Sequence, residues 1–154
     1  MQVSMKCSVA VHCLIFIHEA EGVARVTSSL LAESTGCNPV VVRTALSSLK
    51  KAGIITVERG KGGAHLAMPP EAVTLAMVFD AVDPDGLSDL IKVHDCSDRA
   101  CPVARNIRDV LEAPYRDVRD AVHRAMEGVT LASLIEDFHR RLAEADAGQG
   151  AHTA

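Results

Sequence analysis

Residues 38–67 read NPVVVRTALSSLKKAGIITVERGKGGAHLA, a pattern that predicts one helix followed by a small hairpin. Asn38 suits the helix N-cap, because its side chain can accept a hydrogen bond from a free amide of the first turn. Pro39 suits the first helical position, where no backbone N–H is needed. Gly53 suits the residue after the helix, where positive φ is common. Two β-like segments follow, separated by glycines, at residues 54–57 and 65–67.

The predicted helix has one apolar face and one polar face. Its apolar residues recur at steps of three and four, which predicts that they are buried together: Val42, Ala45, Leu46 and Leu49. The remaining positions lie on the other faces and include Val40, Val41, Arg43, Thr44, Ser47, Lys50 and Lys51. A helix followed by a basic-tipped hairpin is the layout of a winged helix. In that fold the helix enters the major groove of double-stranded DNA and the wing contacts the backbone or minor groove.

The charge of this stretch differs in sign from that of the whole chain. Five cations (Arg43, Lys50, Lys51, Arg59 and Lys61) stand against Glu58 alone, so five minus one gives +4, whereas the 154 residues together carry −4. A basic patch on an acidic protein is typical of a nucleic-acid footprint. The plainer alternative is a solvated helix face beside an ordinary hairpin.

Composition limits the other classes of function. The length suits one domain with an appended oligomerisation element. Aromatic residues make up only 3% of the chain, which argues against single-strand binding by base stacking. No apolar run reaches the roughly 18–20 residues that span a bilayer, and no signal peptide is recognisable. Five cysteines without a secreted framework favour a reducing, cytoplasmic setting.

Two further helices precede the central one. Residues 4–20 predict an amphipathic helix whose core-facing side chains are Val9, Ala10, Cys13, Leu14 and Ile17. Residues 26–35 predict a second, short helix that Thr27 can cap, with Leu30 and Leu31 on its core side. A turn containing Gly36 and Cys37 then leads to Asn38. Two helices joined by such a turn form a helix-turn-helix unit, with the second helix as the reader.

The second half of the chain predicts three more helices. Thr74 can cap a helix over 75–82 with Met77, Val78 and Ala81 buried, and an Asp-rich loop containing HDCSDRAC follows. A long helix begins near Pro102, and Pro114 predicts a kink or a break at Ala113. Gly128 ends that helix, Thr130 caps a last one, and the chain looks frayed after about residue 145.

Several strings resemble the IscR/NsrR/CymR family of bacterial winged-helix regulators, the Rrf-two family. They are SVAVHCL from Ser8, NPVVVR from Asn38, LKKAGI from Leu49, RGKGGA from Arg59, PPEAVTL from Pro69 and CPVARNI from Cys101. They occur in family order to about Ile107, and the NPVVVR and CPVARNI strings are similar to those of the YwnA-like subgroup. The resemblance implies a winged-helix transcription regulator that forms a homodimer through its long helix.

The long helix carries an apolar seam that suits this implied dimer. Its residues recur at three- and four-residue steps over more length than one small domain can cover. The seam consists of Val103, Ile107, Val110, Leu111, Val118, Val122 and Met126. Two readers related by a two-fold axis would require a roughly palindromic operator.

The same resemblance raises the question of an iron–sulfur cluster. Cluster-binding relatives carry three cysteines in the loop before the dimer helix and a fourth, non-cysteine ligand on the first helix. This chain has only Cys96 and Cys101 in that loop, and Ser8 replaces the first-helix acid. His12 or His94 could substitute, since two Cys with two His can hold a 2Fe–2S centre. A zinc site at this spacing is a weaker alternative.

A thiol switch is the other interpretation of the same loop. Cys101 at the first turn of the dimer helix would have its thiolate favoured by the helix dipole and by Arg99 and Arg105. Oxidation to a sulfenate and then to a disulfide with Cys96 would strain the start of that helix. The plainer alternative is that both cysteines are inert loop residues.

The sequence therefore predicts a mainly α fold with a small β-wing. It does not predict an enzyme, since it holds no GxSxG, Walker A or HExxH motif. We expect a winged helix-turn-helix DNA-binding domain (1–83), a sensory loop (84–101), dimerisation helices (102–145) and a disordered tail (146–154). The expected function is a repressor with a cysteine-based response; the alternative is a 2Fe–2S sensor. Expected DNA contacts are Thr27, Ser28, Asn38, Val40, Val41, Arg43, Thr44, Lys50, Lys51, Arg59 and Lys61.

Overall fold

The computed structural model describes residues 5–58, 63–96 and 100–150, with side chains described to residue 147. Over these residues the protein is mainly helical with one two-stranded antiparallel sheet, which confirms the predicted fold class. The helices are α1 (Lys6–Glu19), α2 (Ser28–Thr35), α3 (Pro39–Lys51), α4 (Leu75–Val82), α5 (Gly86–Leu90), α6 (Pro102–Glu127) and α7 (Leu131–Gly150). The strands are β1 (Ile55–Val57) and β2 (Ala64–Leu66), and a 3₁₀ turn covers Pro70–Ala72.

The hydrophobic core lies where α1, α2, α3 and α4 meet. The predicted apolar face of α3 is buried, and so are four of the five predicted core residues of α1: Ala10, Cys13, Leu14 and Ile17. Val9 is half-buried against this cluster. On α2, Leu31 is buried, whereas Leu30 is only half-buried. The sequence periodicity thus identifies the core residues of the first three helices, although α1 also packs Val11, Ile15 and Phe16 against the core and so has no single apolar face.

The wing is fastened to the segment that precedes α2. β1 and β2 pair with Thr56 opposite His65, and the Ala64 amide donates a hydrogen bond to the Val26 carbonyl at 3.1 Å. Gly63 has a φ of 154°, and a Cβ there would lie 2.9 Å from the same carbonyl oxygen. Glycine is therefore required where the hairpin returns to the domain. The predicted wing-tip contacts Arg59 and Lys61 lie outside the described residues.

Helix α4 is buried on more sides than its sequence indicates. The fully buried residues are Ala76, Val78 and Val82, whereas the predicted Met77 and Ala81 are half-buried. The reason is that α4 contacts α1 and α3 and also α6, so its covered arc is wide. The Asp-rich loop that follows contains the short helix α5, which its residues did not indicate.

Helix α6 is one continuous helix of 26 residues, so the predicted break at Ala113 is wrong. Pro114 removes a single backbone donor, and the hydrogen-bonded ladder continues on both sides of it. None of the 26 residues is buried within the chain. The predicted seam residues Val103, Val110 and Val118 are exposed, and Ile107, Leu111 and Val122 are half-buried.

Helix α6 is tied to the rest of the chain near its C-terminal end. His123 Nε2 lies 3.0 Å from Asp80 Oδ2 of α4, and His123 Nδ1 lies 3.4 Å from Glu127 Oε1. The hydrogen bond to Asp80 raises the pKa of His123; burial opposes this rise, and the charges of Asp80, Glu127 and Asp120 add to it. After α6, the Leu75 amide donates to the Val129 carbonyl at 2.8 Å.

Helix α7 returns to the core instead of extending away from it. Thr130 caps α7 as predicted, since its hydroxyl oxygen accepts from the Ser133 amide at 3.1 Å. Leu131 is 2% exposed, its amide donates to the Val73 carbonyl at 2.8 Å, and Ile135 joins the same core. Further along, His139 Nε2 lies 2.8 Å from Glu19 Oε1 of α1. The helix runs on to Gly150, beyond the boundary expected at residue 145.

Among the described residues, no helix combines the length and the apolar character that crossing a membrane requires.

The buried start of α7 predicts a large stability effect from a single truncation. Leu131→Ala should lower the free energy of unfolding by about 2–5 kcal/mol, since it leaves a cavity in the core. Leu142→Ala on the same helix is the matched control, because Leu142 is 50% exposed and should change stability by less than about 0.5 kcal/mol. Urea unfolding followed by circular dichroism would measure both. Equal effects of the two variants would show that α7 is not part of this core.

Candidate nucleic-acid interface

The orientation of α3 is set by its caps and its buried face. Asn38 Oδ1 accepts a hydrogen bond from the Val40 amide at 2.8 Å, as the sequence predicts. Gly36 has a φ of 66° in the turn before it, and Gly53 has a φ of 74° after it. With both ends defined and four side chains in the core, the polar face of α3 is presented to solvent in one orientation.

The two valines at the start of α3 are exposed, at 58% for Val40 and 44% for Val41. Methyl groups at such positions can contact thymine methyls in the major groove. Both valines also line an apolar cavity of about 230 Å³ between α3 and α1, together with Thr44. The Thr44 hydroxyl donates to the Val40 carbonyl at 2.9 Å, so its hydrogen is engaged within the helix.

On its other side, α3 forms a groove with α2 and the wing, lined by both apolar and charged side chains. The groove has a volume of about 460 Å³, and it brings together four of the predicted DNA contacts: Thr27, Ser28, Arg43 and Lys50. Thr27 caps α2, since its hydroxyl oxygen accepts from the Leu30 amide at 3.2 Å. A helix N-terminus of this kind offers backbone amides to a phosphate group. Lys51 is exposed at the end of α3 but does not line this groove.

Arg25 also lines the groove, although its sequence context did not single it out. It lies in the short loop before α2, outside the 38–67 stretch from which the basic patch was predicted. The hydrogen bond between Ala64 and Val26 explains its position, because it holds the pre-α2 segment against the wing. With Arg25, three cations line the groove against the single carboxylate of Glu58.

Four of the five cysteines fall into two groups, one on α1 and one in the loop before α6. Burial raises the pKa of Cys13 to about 11, with a further contribution from nearby Cys37. Burial, followed by the charge of Asp83, also raises the pKa of Cys7. A thiol with a raised pKa holds little thiolate at neutral pH and reacts slowly. Cys7 and Cys13 therefore act as packing residues of α1, and Cys13 is buried as predicted.

The loop cysteines have polar surroundings. Cys96 Sγ lies 3.2 Å from His94 Nε2, so the structure brings this predicted pair together. Both line a cavity of about 410 Å³ against the first turns of α6. Cys101 is the N-cap residue of α6, but its side chain makes no capping hydrogen bond and does not line this cavity.

Within the part of one chain that the structure describes, the residues do not fit a 2Fe–2S cluster. Such a centre takes four protein ligands, and the loop supplies only two thiols. His12, the third ligand considered, has its Nε2 2.9 Å from Ser34 Oγ. Across residues 5–58, 63–96 and 100–150, no three His, Cys, Asp or Glu side chains converge in a way that could hold a metal ion.

The chain is similar in sequence to known transcriptional regulators. A family model named Rrf2 and described as iron-dependent transcriptional regulators matches residues 3–137. The chain is 33% identical over 140 residues to YwnA of Bacillus subtilis (strain 168), which is named as an HTH-type transcriptional regulator; the match covers 91% of this chain and 98% of YwnA.

Solved structures agree in fold. A structure described as a transcriptional regulator from Lactobacillus plantarum has a TM-score of 0.74 at 27% identity and covers 96% of this chain and 98% of its own. CymR of B. subtilis, titled a global cysteine regulator, has a TM-score of 0.62 at 20% identity, covering 88% of this chain and 97% of its own. At that identity CymR shows the shared fold alone.

The N-cap of α3 predicts a specific stability effect. Asn38→Ala should lower the free energy of unfolding by about 0.5–2 kcal/mol, because the Val40 amide loses its acceptor. Asn38→Asp should retain most of the stability, since a carboxylate can accept the same hydrogen bond. Thermal unfolding of the three proteins would compare them. If the aspartate variant were as unstable as the alanine variant, the capping hydrogen bond would not be the cause.

Proposed function

Since the chain belongs to the Rrf2 family of transcriptional regulators, we propose that it represses its target genes as a homodimer bound to a roughly palindromic operator. The family consists of DNA-binding regulators and not of enzymes. We further propose that the protein acts in the cytoplasm and that oxidation of its loop cysteines, Cys96 and Cys101, controls its affinity for DNA.

The observation that carries the DNA-binding part is the groove beside α3. Arg25, Arg43 and Lys50 line it on a chain whose net charge is −4. Cations concentrated on one face of an acidic protein favour the phosphate backbone at that face. The adjacent exposed face of α3 carries Val40 and Val41, which suit base contacts in the major groove. We therefore propose that Arg25 and Lys50 hold the phosphate backbone at the groove, while Arg43, Val40 and Val41 of α3 read the base sequence.

The exposed seam of α6 supports a homodimer. A 26-residue helix with no buried residue gains little from the rest of its own chain, because most helical stability in proteins comes from packing. Val103, Val110 and Val118 remain exposed by 69%, 62% and 44%. An exposed row of apolar side chains along a helix is typical of an interface, and a second copy of α6 would cover it symmetrically.

Arg43 provides the direct test of the reading face. Arg43→Ala should weaken binding to the DNA upstream of the protein's own gene by about 1–3 kcal/mol, the range for one lost Arg contact. Arg141→Ala, on the exposed side of α7, should bind as the unchanged protein does. Fluorescence anisotropy at several salt concentrations would measure affinity and salt dependence together. Equal affinities of the two variants would contradict the proposed interface.

An anaerobic preparation separates the thiol switch from a cluster. We expect the protein to show no visible absorption and no stoichiometric iron or sulfide, because no suitable set of ligands converges among the described residues of one chain. Iron and sulfide analysis with a UV–visible spectrum would establish this. Visible absorption with near-stoichiometric iron would replace the thiol switch by a cluster and make His12, Cys96 and Cys101 the ligands to test.

A further inference from the structure

The cavity between the Cys96 loop and α6 contains groups that the DNA-binding function does not use. Its walls are His94, Asp95 and Cys96 from the loop and Ala104, Arg105, Ile107, Arg108 and Asp109 from α6. It is an open cleft of about 410 Å³, and its charged side chains are exposed to solvent. A nucleophile, a proton acceptor and charges of both signs thus surround one cavity.

Cys96 and His94 form a thiol–imidazole pair in this cavity. The 3.2 Å separation of Sγ and Nε2 allows the thiol to donate to the imidazole when the ring proton is on Nδ1. A base within hydrogen-bond reach of a thiol is the arrangement that activates cysteine nucleophiles. Cys101, which the sequence favoured as the reactive thiol, has no such partner among the described residues.

The charges that line the cavity are partly paired and partly free. Arg108 is bound to Asp95, with 3.2 Å between the guanidinium and the carboxylate. Arg105 and Asp109 have no ion-pair partner in the described part of the chain. They lie four residues apart on α6, so they occupy the same face of the helix. One free guanidinium beside one free carboxylate complements the carboxylate and the ammonium of a single α-amino-acid group.

We propose that this cavity binds a small disulfide carrying an α-amino-acid group and that Cys96 reacts with it to form a mixed disulfide. Arg105 would hold the carboxylate of the ligand and Asp109 its ammonium, which directs the S–S bond toward Cys96. His94 is the positioning and proton-accepting residue. This site refines the cysteine response proposed above, and only its effect on DNA affinity rests on that proposal.

The exchange step is balanced. The Cys96 proton passes to His94 Nε2, and the thiolate attacks one sulfur of the ligand disulfide. A bond forms between Cys96 Sγ and that sulfur while the ligand S–S bond breaks. The departing thiolate takes the proton back from His94 and leaves as a thiol. Cys96 is oxidised to a mixed disulfide and the ligand disulfide is reduced, so no further oxidant is required.

Comparing two disulfide reagents distinguishes recognition of the α-amino-acid group in the cavity from the general reactivity of the Cys96 thiol. L-cystine carries the α-amino-acid groups, whereas bis(2-hydroxyethyl) disulfide has the same reactive bond without charges. The full-length protein would be treated with each, and mass spectrometry of peptides would locate and time the adducts. We expect Cys96 to react faster with cystine than with the neutral disulfide. We expect the Cys96→Ser variant to form no loop adduct and the Cys101→Ser variant to retain it.

Two variants test the assigned roles. Arg105→Gln should slow the reaction with cystine by about two- to fivefold, the size expected of an exposed ion pair, without changing the reaction with the neutral disulfide. His94→Gln should slow both reactions by about tenfold, because the thiol loses its proton acceptor. An adduct on Cys101 in place of Cys96, or equal cystine rates for Arg105→Gln and the unchanged protein, would overturn the proposal.

DNA binding provides the independent readout. Unmodified protein that fails to bind any operator would overturn the proposed function and leave the cavity chemistry standing. Protein that binds DNA but forms no cystine adduct would overturn the cavity chemistry and leave the proposed DNA-binding function standing. A Cys96 adduct that lowers DNA affinity, reversed by a reducing agent, would support both. A Cys96 adduct without any effect on DNA affinity would support the site and overturn its regulatory role.

Discussion

The packing of α3 against α1 is the interaction on which the rest of the structure depends. A reading helix must bury enough surface to be held rigidly and still leave a face free for its target. The buried face of α3 consists of Val42, Ala45, Leu46 and Leu49. It packs against the buried residues of α1. Because the core is almost wholly aliphatic, with aromatics at only 3% of the chain, its rigidity depends on interlocking branched side chains.

A second constraint follows from the position of the wing and of α7. Backbone hydrogen bonds between segments far apart in sequence hold both elements in place. The Ala64 amide donates to the Val26 carbonyl at the wing, and the Leu131 amide donates to the Val73 carbonyl at α7. Such bonds fix direction better than apolar packing does. The same pairing that seats the wing also brings Arg25 beside Arg43 and Lys50, so the shape of the groove and its charge have one structural cause.

Sequence rules that depend on neighbouring residues predicted the helix caps correctly. The caps Thr27, Asn38, Thr74 and Thr130 all accept the predicted kind of hydrogen bond, since each depends on residues three or fewer positions away. Of the kink or break predicted at Ala113, the break is wrong, because the cost of one proline does not by itself decide whether a helix continues; the kink stays a prediction. Arg25, the wide buried arc of α4 and the return of α7 depend on contacts between distant segments, which periodicity does not encode.

The position of the Cys96 cavity explains how an adduct there could act on DNA binding through α6. α6 is about 39 Å long at 1.5 Å per residue, and its tie to α4 through His123 lies near its C-terminal end. The cavity lies on the first two turns at the opposite end. Because none of the residues of α6 is buried within its own chain, little in that chain resists a change at those turns. In the proposed dimer, where paired α6 helices would set the separation of the two α3 helices, an adduct at Cys96 would act on that separation directly.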